Sequence, residues 1–306
     1  MQMRTIADGL QFPEGPVALA DGSVVLVEIA AGRLTRIAVD GTKSVVVTTG
    51  GGPNGAAVGL DGKCYIANNG GFEWHRDAEG RIRPLTQARD YSGGRLERAN
   101  LATGTVEVLY RNRDDVPLKG PNDLVIDRHG GVYFTDLGKR RARDMDIGAV
   151  YYAAADGSSI VEVAHPMVTP NGIGLSPDEQ TLYVAETEAA RLWAFPIAAP
   201  GVVKKEAWPS PHGGRLVAGM GGYQRFDSLA VQADGRIAVA TLVNGGITVI
   251  SPDGRHVEHH AMPDPMTTNI CFGGPDMKTA YITLSWTGRL VAVDWPTAGL
   301  KLNQAG

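Results

Sequence analysis

The sequence is poor in the features that define several large classes of proteins. It has two cysteines, Cys64 and Cys271, among 306 residues. Both fall in apolar stretches typical of strands, so a disulfide framework is excluded and two buried thiols in a reducing compartment are expected. No apolar run approaches the roughly 18 residues of a membrane-spanning helix. The opening residues also lack the apolar core of a secretory signal, so we expect a cytoplasmic protein without membrane partners.

Charge and helical periodicity are also scarce. The net charge is −4, and the basic residues are scattered rather than clustered, which excludes a nucleic-acid partner. No long segment repeats its apolar residues at the helical period. There is no spaced His/Cys motif for zinc and no Gly-x-Ser-x-Gly elbow, and the seven histidines fall mostly in predicted turns or outer strands. A serine hydrolase is therefore not indicated.

Glycine and proline are abundant, with 40 and 18 residues, and they punctuate a repeated pattern. Six units each begin with a polar residue before an apolar strand, then pass through a tight turn into a second strand. The polar residues are Glu14, Asn54, Asn122, Asn171, Asp227 and Asn269. The units lie roughly 40 to 70 residues apart, within the range of propeller blades that carry insertions.

Further strands and turns complete each unit. In the first unit, strand-like runs at 32–39 and 44–48 flank an Asp-Gly turn, and the fifth unit repeats this design. Four antiparallel strands in each of six units predict an all-β, six-bladed β-propeller that forms one domain over residues 1–306. Residues 3–7 are expected to form the outer strand of the last blade beside 288–293, which closes the ring by pairing the chain ends.

Two segments interrupt the repeat. Residues 70–94 contain Trp74, His75 and Tyr91, which could form a lid or wall for a ring-shaped substrate. Long loops on a rigid scaffold are often functional, although a surface excursion that covers a blade edge fits the same composition. The second segment, from about 198 to 222, is interpreted as a connection and is given no role.

The propeller geometry brings the six polar residues together. The first strand of each blade lines the central channel, so residues at its start meet near the axis. Two carboxylates and four amides form an oxygen-rich set that suits one divalent cation. Calcium is favoured, with Mg, Mn, Zn and Fe(II) as alternatives. Taken singly, Asn54 and Asn171 also fit a hairpin turn because glycine follows each of them, and Asp123 could cap a turn.

Five short motifs in this order resemble the SMP-30/gluconolactonase family, also called the gluconolactonase/luciferin-regenerating-enzyme-like family. The motifs are Phe12-Pro13-Glu14-Gly15-Pro16, Gly120-Pro121-Asn122-Asp123-Leu124, Pro170-Asn171-Gly172-Ile173, Phe226-Asp227-Ser228-Leu229-Ala230 and the stretch from Thr268 to Asp276. The resemblance covers nearly the whole chain and implies a six-bladed propeller with one divalent cation at the channel mouth. It also implies that Glu14, Asn171 and Asp227 bind the ion directly. Asn122 would join the ion or contact the substrate.

The sequence departs from the family two residues before Asn122. Animal members of the family place an arginine there that contacts a sugar acid, whereas this chain has Gly120. Lys119, beside it, is not an equivalent replacement. The metal ligands therefore predict hydrolysis more firmly than they predict the substrate.

We interpret the sequence as a metal-dependent lactonase that acts on a sugar-derived lactone. The ion would polarise the carbonyl, and Asp227 would take a proton from the attacking water. Asn122, Asn54 and Asn269 are the predicted substrate contacts near the channel, and Trp74, His75 and Tyr91 are the predicted contacts in the loop. Direct attack by Asp227 stays open as an alternative mechanism.

Two other functions also remain open. One is a phosphotriesterase or arylesterase that uses the same ion, and the other is a non-catalytic propeller that binds a ligand. The predicted partner is a small lactone. A monomer or weak oligomer is expected.

Overall fold

Each repeated unit forms one antiparallel sheet in a computed structural model of the chain, which describes residues 2–304. Every blade has four main strands, and the sheet of blade 4 also includes the short strand Val202–Val203. Blades 1 to 3 consist of Pro13–Ala18, Val24–Glu28, Arg33–Ile37 and Lys43–Thr48; Pro53–Val58, Cys64–Asn68, Arg95–Ala99 and Val106–Tyr110; and Pro121–Ile126, Val132–Asp136, Gly148–Ala153 and Ile160–Met167. Blades 4 to 6 consist of Pro170–Leu175, Thr181–Glu186, Arg191–Ala199 and Arg215–Gly219; Arg225–Val231, Ile237–Leu242, Gly246–Ile250 and Val257–Ala261; and Thr267–Gly273, Thr279–Leu284, Arg289–Asp294 and Met3–Ala7. The predicted six-bladed propeller is confirmed.

Local sequence accounts for the first hairpin of most blades. Strands rich in Val and Ile favour the pleated conformation, and a glycine with positive φ completes the turn between the first two strands. Gly22, Gly62 and Gly235 adopt φ of 84°, 70° and 87°, respectively. A residue with a Cβ is disfavoured in this region, so these glycines fix where each inner strand ends.

The chain ends close the ring. Met3–Ala7 pairs antiparallel with Arg289–Asp294, with Thr5 opposite Val291. This is the pairing that the sequence predicted. It gives blade 6 its fourth, outer strand and places Glu14 beside that blade.

The buried hydrophobic side chains of residues 2–304 form six clusters, one between each pair of consecutive blades. Leu96 of blade 2 and Phe134 of blade 3 belong to one such cluster, and Leu26 and Leu290 belong to the cluster that joins blades 1 and 6. Because every blade packs on both neighbours, the inner strands are held at fixed spacing around the channel.

Both segments that interrupt the repeat contain strands. Phe72–Arg76 and Ile82–Gln87 pair as a separate two-stranded hairpin, which we call the mouth hairpin (residues 72–87). The second segment supplies Arg215–Gly219, the outer strand of blade 4. Smaller elements are Asn112–Arg113 with Val116–Pro117, Val202–Val203, and the 3-10 helix Ile29–Ala31.

The state of the two cysteines and the character of the helices were also predicted from the sequence. Cys64 and Cys271 are free and buried, and burial raises the pKa of each thiol to about 12. Among residues 2–304, no helix has the length and apolar character needed to span a membrane.

Candidate functional site

A shift in strand pairing marks the start of all six inner strands. The register between the first and second strand of each blade changes at Glu14/Val17, Pro53/Gly55, Pro121/Leu124, Pro170/Ile173, Phe226/Leu229 and Thr267/Asn269. Each shift includes or adjoins the polar residue predicted at that place. Such bulges re-aim a side chain and end regular pairing. All six polar residues are buried, with exposed fractions between 3% and 9%.

Glycines after three of these residues let neighbouring blades approach closely. A Cβ atom at Gly15 would lie 2.8 Å from the carbonyl oxygen of Asn54, and one at Gly55 would lie 2.5 Å from that of Asn122. A Cβ at Gly172 would lie 2.6 Å from the carbonyl oxygen of Asp227. These contacts are too short for any side chain, so the glycines determine how tightly the ring closes around the site.

Two asparagines each hold a carboxylate of the adjacent blade. Asn171 Nδ2 donates to Asp227 Oδ1 at 2.6 Å and to Thr187 Oγ1 at 3.0 Å. Asn269 Nδ2 donates to Glu14 Oε2 at 2.7 Å, and the Gly15 N–H donates to the same oxygen at 2.7 Å. Both carboxylates are therefore fixed in orientation before any ligand arrives.

A third carboxyl group, Asp123, shares the buried site. Burial and the nearby charge of Glu14 raise the pKa of Asp123 to about 8. Burial likewise raises the pKa of Glu14 to about 7. Burial, followed by the charge of Glu14, holds the pKa of Asp227 well above its usual range. The three groups repel one another when ionised, so the site favours either protonation or a compensating cation.

The available oxygen atoms fit a hard divalent cation. Asn122 Oδ1 is buried and has no hydrogen-bond partner among residues 2–304. Asn171 Oδ1 receives only a long contact from Ser228 Oγ, at 3.5 Å. In the described part of the chain, no group of three His, Cys, Asp or Glu side chains is arranged to hold a metal ion. An ion here would therefore need amide oxygens as well as carboxylates, a mixture that Ca²⁺ accepts.

The predicted loop residues have different surroundings. The Trp74 ring packs on Phe12 of blade 1, with centroids 5.1 Å apart. Tyr91 donates its hydroxyl to the Lys119 carbonyl oxygen at 2.5 Å, next to blade 3. His75 is exposed on the mouth hairpin. The proposed substrate role of these three side chains stays a prediction, as does that of Asn54, which is buried at the start of blade 2.

Sequence reasoning missed Asp123, although a signal for it exists. The position directly after each polar residue holds Gly15, Gly55, Asp123, Gly172, Ser228 and Ile270 in blades 1 to 6. Glycine in three of the six blades indicates that this position packs closely against the adjacent blade rather than facing solvent. A carboxylate in the same position is then expected to be buried against the adjacent blade, which is where the structure places it.

The channel below these polar groups is lined by apolar side chains. A cavity of about 740 Å³ extends from Gly15, Asp123 and Asn269 to the far face of the ring. The C-terminal segment borders it there. Gln304 Nε2 donates to the Ala18 carbonyl oxygen at 3.2 Å, and Asn303 Nδ2 donates to that of Ile126 at 3.1 Å. The polar residues at the starts of the inner strands therefore lie at the mouth end of the channel, and the C-terminal segment lies at the far end.

The chain is similar to known proteins in sequence and in fold. A gluconolactonase from Zymomonas mobilis is 25% identical over 312 residues, covering 92% of this chain and 79% of that protein. Lactonase drp35 from Staphylococcus haemolyticus is 28% identical over 258 residues, covering 84% of this chain and 71% of that protein. A calcium-binding protein, regucalcin, from Agrobacterium tumefaciens has a similar fold. The TM-score is 0.78, with 20% identity and coverage of 99% of this chain and 97% of that one.

The family profile agrees with these pairwise similarities and with the repeated inner strands. The profile of the SMP-30/Gluconolactonase/LRE-like region matches residues 12–285, which include all six polar residues at the channel mouth. The chain is a member of the SMP-30/gluconolactonase/LRE-like family.

Proposed function

We propose that the protein is a metal-dependent lactonase that hydrolyses lactones, with sugar-derived lactones as the favoured substrates. The observation that carries the proposal is the pair of buried carboxylates, Glu14 and Asp227, each fixed by an asparagine. Asn122 Oδ1, at the start of another inner strand, is buried without a hydrogen-bond partner in the described part of the chain. Such a set costs folding free energy unless it binds something. The names of the two bacterial relatives, a gluconolactonase and a lactonase, supply the reaction class.

Four residues would hold the ion, with oxygen as the donor in each case. Glu14 and Asp227 contribute carboxylates, while Asn171 and Asn122 contribute amide oxygens. When bound, a divalent cation supplies Lewis-acid polarisation of a lactone carbonyl and compensates the carboxylate charges. Calcium is the favoured ion because it accepts mixed carboxylate and amide ligands in flexible geometry.

Asp227 is the proposed general base. Its Oδ1 accepts a hydrogen bond from Asn171 Nδ2, which leaves Oδ2 as the oxygen that can accept the proton of an attacking water. Ring opening converts lactone and water into a hydroxy acid, and the proton on Asp227 then passes to the departing ring oxygen. Asn122 Oδ1 can accept a hydrogen bond from a substrate hydroxyl if it does not bind the ion. Asn269 acts by holding Glu14 in place.

The test is proton release in weak buffer with glucono-1,5-lactone and a panel of lactones of other ring sizes. Chelator-stripped protein is assayed first, and then each divalent ion is restored separately. We expect hydrolysis to disappear on stripping and to return with one ion, while circular dichroism shows that the fold persists. A preference within the panel would identify the substrate class.

A negative result would be equally informative. Failure to hydrolyse any lactone, with an ion still tightly bound, would overturn the proposal. The same assay with an aryl ester and a phosphotriester would then distinguish another hydrolase from a non-catalytic binding protein. Activity that persists after complete removal of metal would overturn the metal dependence alone.

A further inference from the structure

The mouth hairpin lies on the face of the ring where the candidate site opens. Its Trp74 packs on Phe12, two residues before Glu14. The Arg81 guanidinium lies 4.1 Å from the centre of the Trp286 ring, in the turn that follows the second strand of blade 6. The Gln87 N–H donates to the Arg140 carbonyl oxygen at 2.8 Å, beside blade 3. The hairpin therefore spans the mouth side of blades 6, 1, 2 and 3.

An isolated two-stranded hairpin has little stability of its own in water. The mouth hairpin pairs with no other strand among residues 2–304. It leaves blade 2 through Gly70 and Gly71, which adopt φ of 79° and 114°. A connection of this kind does not fix the direction of the hairpin. Contacts outside the hairpin must therefore hold it in place.

Lys139 makes such contacts at the root of the hairpin. Its side chain is almost fully buried, with an exposed fraction of 1%. Nζ donates to the Asn69 carbonyl oxygen at 3.0 Å, to Asn69 Oδ1 at 3.3 Å and to the Gly71 carbonyl oxygen at 2.8 Å. It also lies 3.9 Å from the centre of the Phe72 ring, the first residue of the hairpin. All three donors of one ammonium group therefore meet the segment that enters the hairpin.

The same side chain lies close to Gly120, directly before the strand that carries Asn122. A Cβ atom at Gly120 would lie 3.2 Å from Lys139 Cδ and 2.3 Å from the Gly138 carbonyl oxygen. Gly120 is held from the other side, because its N–H donates to Asp136 Oδ1 at 2.6 Å. The Lys139 side chain thus lies between the hairpin root and the start of the third inner strand.

We propose that Lys139 is a positioning residue that fixes the mouth hairpin to the strand of Asn122 and thereby sets the shape of the substrate pocket. The inference about the pocket rests on the proposed lactonase function, whereas the inference about the hairpin does not. Burying an ammonium group is costly unless its donors are satisfied. The hydrogen-bond acceptors of Lys139 Nζ are oxygens of the hairpin root, and the centres of the Phe72 and Tyr91 rings lie 3.9 and 5.5 Å from it. The positioning role explains this arrangement. A lysine on a blade surface is not placed in this way.

The test compares Lys139→Met with the wild-type protein in two independent measurements. Methionine keeps much of the buried volume and removes the three donors. The first measurement is limited trypsin digestion with mass spectrometry of the peptides released by cleavage after Arg76 and Arg81. We expect cleavage there to be faster by about tenfold or more, because cleavage follows the population of the locally opened segment. Cleavage after a remote exposed residue such as Arg255 should be unchanged, whereas the site at residue 139 is lost with the lysine.

The second measurement is hydrolysis of ring-substituted and unsubstituted lactones. We expect KM for the substituted lactones to rise about tenfold while kcat stays within about twofold, since the pocket wall contacts substrate in both ground and transition states. Lys278→Met, at an exposed lysine on the far face, is the matched control and should change neither measurement. If Lys139→Met does not fold, Lys139→Gln, which removes the ammonium group and shortens the side chain, is measured in its place.

The outcomes separate the two inferences. Unchanged cleavage after Arg76 and Arg81 in a folded Lys139→Met variant would overturn the positioning role, whatever the activity. Faster cleavage with unchanged KM for every lactone would overturn the link to the pocket. If the wild-type protein hydrolyses no lactone, the proposed function fails, and digestion alone still decides whether Lys139 holds the hairpin.

Discussion

The two ends of the central channel use the same six strands for different purposes. At the mouth end, Asn171 and Asp227 are buried polar residues at bulged positions. Four residues further along the same strands, Leu175 and Val231 are buried apolar residues in regular pairing. Burial of polar groups opposes folding, whereas burial of apolar groups drives it. The comparison shows that the far end holds the ring together and allows the mouth end to carry an unfavourable set of groups.

The largest effect is expected from a substitution of Asp227, the proposed general base at the mouth end. In Asp227→Asn the side chain keeps its size but can no longer accept a proton. We expect kcat/KM to fall by about 10²–10⁴, the range attributed to general base catalysis. Steady-state proton release measures the rate, and competition with a chelator measures metal affinity.

The rate should fall far more than the affinity, because Glu14, Asn171 and Asn122 still supply oxygen ligands. Leu175→Ala, in the apolar half of the channel, is the control. It should cost about 2–5 kcal/mol of stability and leave kcat/KM nearly unchanged in the folded protein. Near-normal turnover in Asp227→Asn would refute the assignment of the base.

Two glycines of one strand of blade 4 allow packing at the mouth end to be compared with packing further along the channel. A Cβ at Gly172 would meet the backbone of blade 5, with the Asp227 carbonyl oxygen at 2.6 Å. A Cβ at Gly174 would meet mainly the end of the Leu229 side chain, at 2.7 Å. Backbone atoms cannot move aside by a change of rotamer, whereas the end of a side chain can. We expect Gly172→Ala to cost on the order of 3 kcal/mol of unfolding free energy and Gly174→Ala to cost less.

Urea denaturation would measure both glycine variants, and the lactone assay would report on the site. Because Gly172 sits between Asn171 and blade 5, its substitution should also lower activity in the molecules that remain folded. Equal destabilisation by the two substitutions would show that the mouth is no more tightly packed than the rest of the channel.

A smaller effect is expected from the residue that orients Glu14. Asn269→Ala removes the 2.7 Å hydrogen bond to Glu14 Oε2 and leaves the bond from the Gly15 N–H. Loss of a partner that orients a metal ligand typically costs 10- to 100-fold in affinity or activity. Titration of the chelator-stripped protein with Ca²⁺ would measure the loss of affinity. Cys271→Ala, two residues further along the same strand, is the matched control, and an equal loss of affinity there would contradict the role of Asn269.

The fold was predictable because its signals repeat. One Asp-Gly turn or one Pro-Asn-Gly motif is ambiguous, but six polar residues before six apolar strands indicate a ring with one mouth. The closing strand Met3–Ala7 was predictable because a sixth blade with only three strands would leave an exposed edge. The outer strand Arg215–Gly219 was missed because it follows a proline-rich connection and carries no repeated marker of its own.

The candidate site was predictable in part, for a physical reason. Glu14, Asn171 and Asp227 occupy repeated positions, so topology alone brings them together. Asp123 and Lys139 depend on contacts between blades that are distant in sequence. The direction of the Lys139 side chain toward Asn69, 70 residues earlier, follows from packing at the hairpin root. No periodic pattern specifies such a contact.

The smallest predicted effect concerns the stability of metal-free protein as pH changes. Burial raises the pKa of Glu14 from 4.5 to about 7 and that of Asp123 from 3.8 to about 8. The folded state therefore binds more protons than the unfolded state between about pH 4 and 8, and stability falls as pH rises through this window.

Bound Ca²⁺ favours the ionised groups, so stabilisation by the ion should grow with pH. We expect the increase in Tm on adding Ca²⁺ to be larger at pH 8 than at pH 5 by a few degrees, as measured by calorimetry. Asp123→Asn should reduce that difference, because it removes one of the repelling carboxylates. An increase in Tm that is the same at both pH values would contradict the presence of protonated carboxyl groups at the mouth.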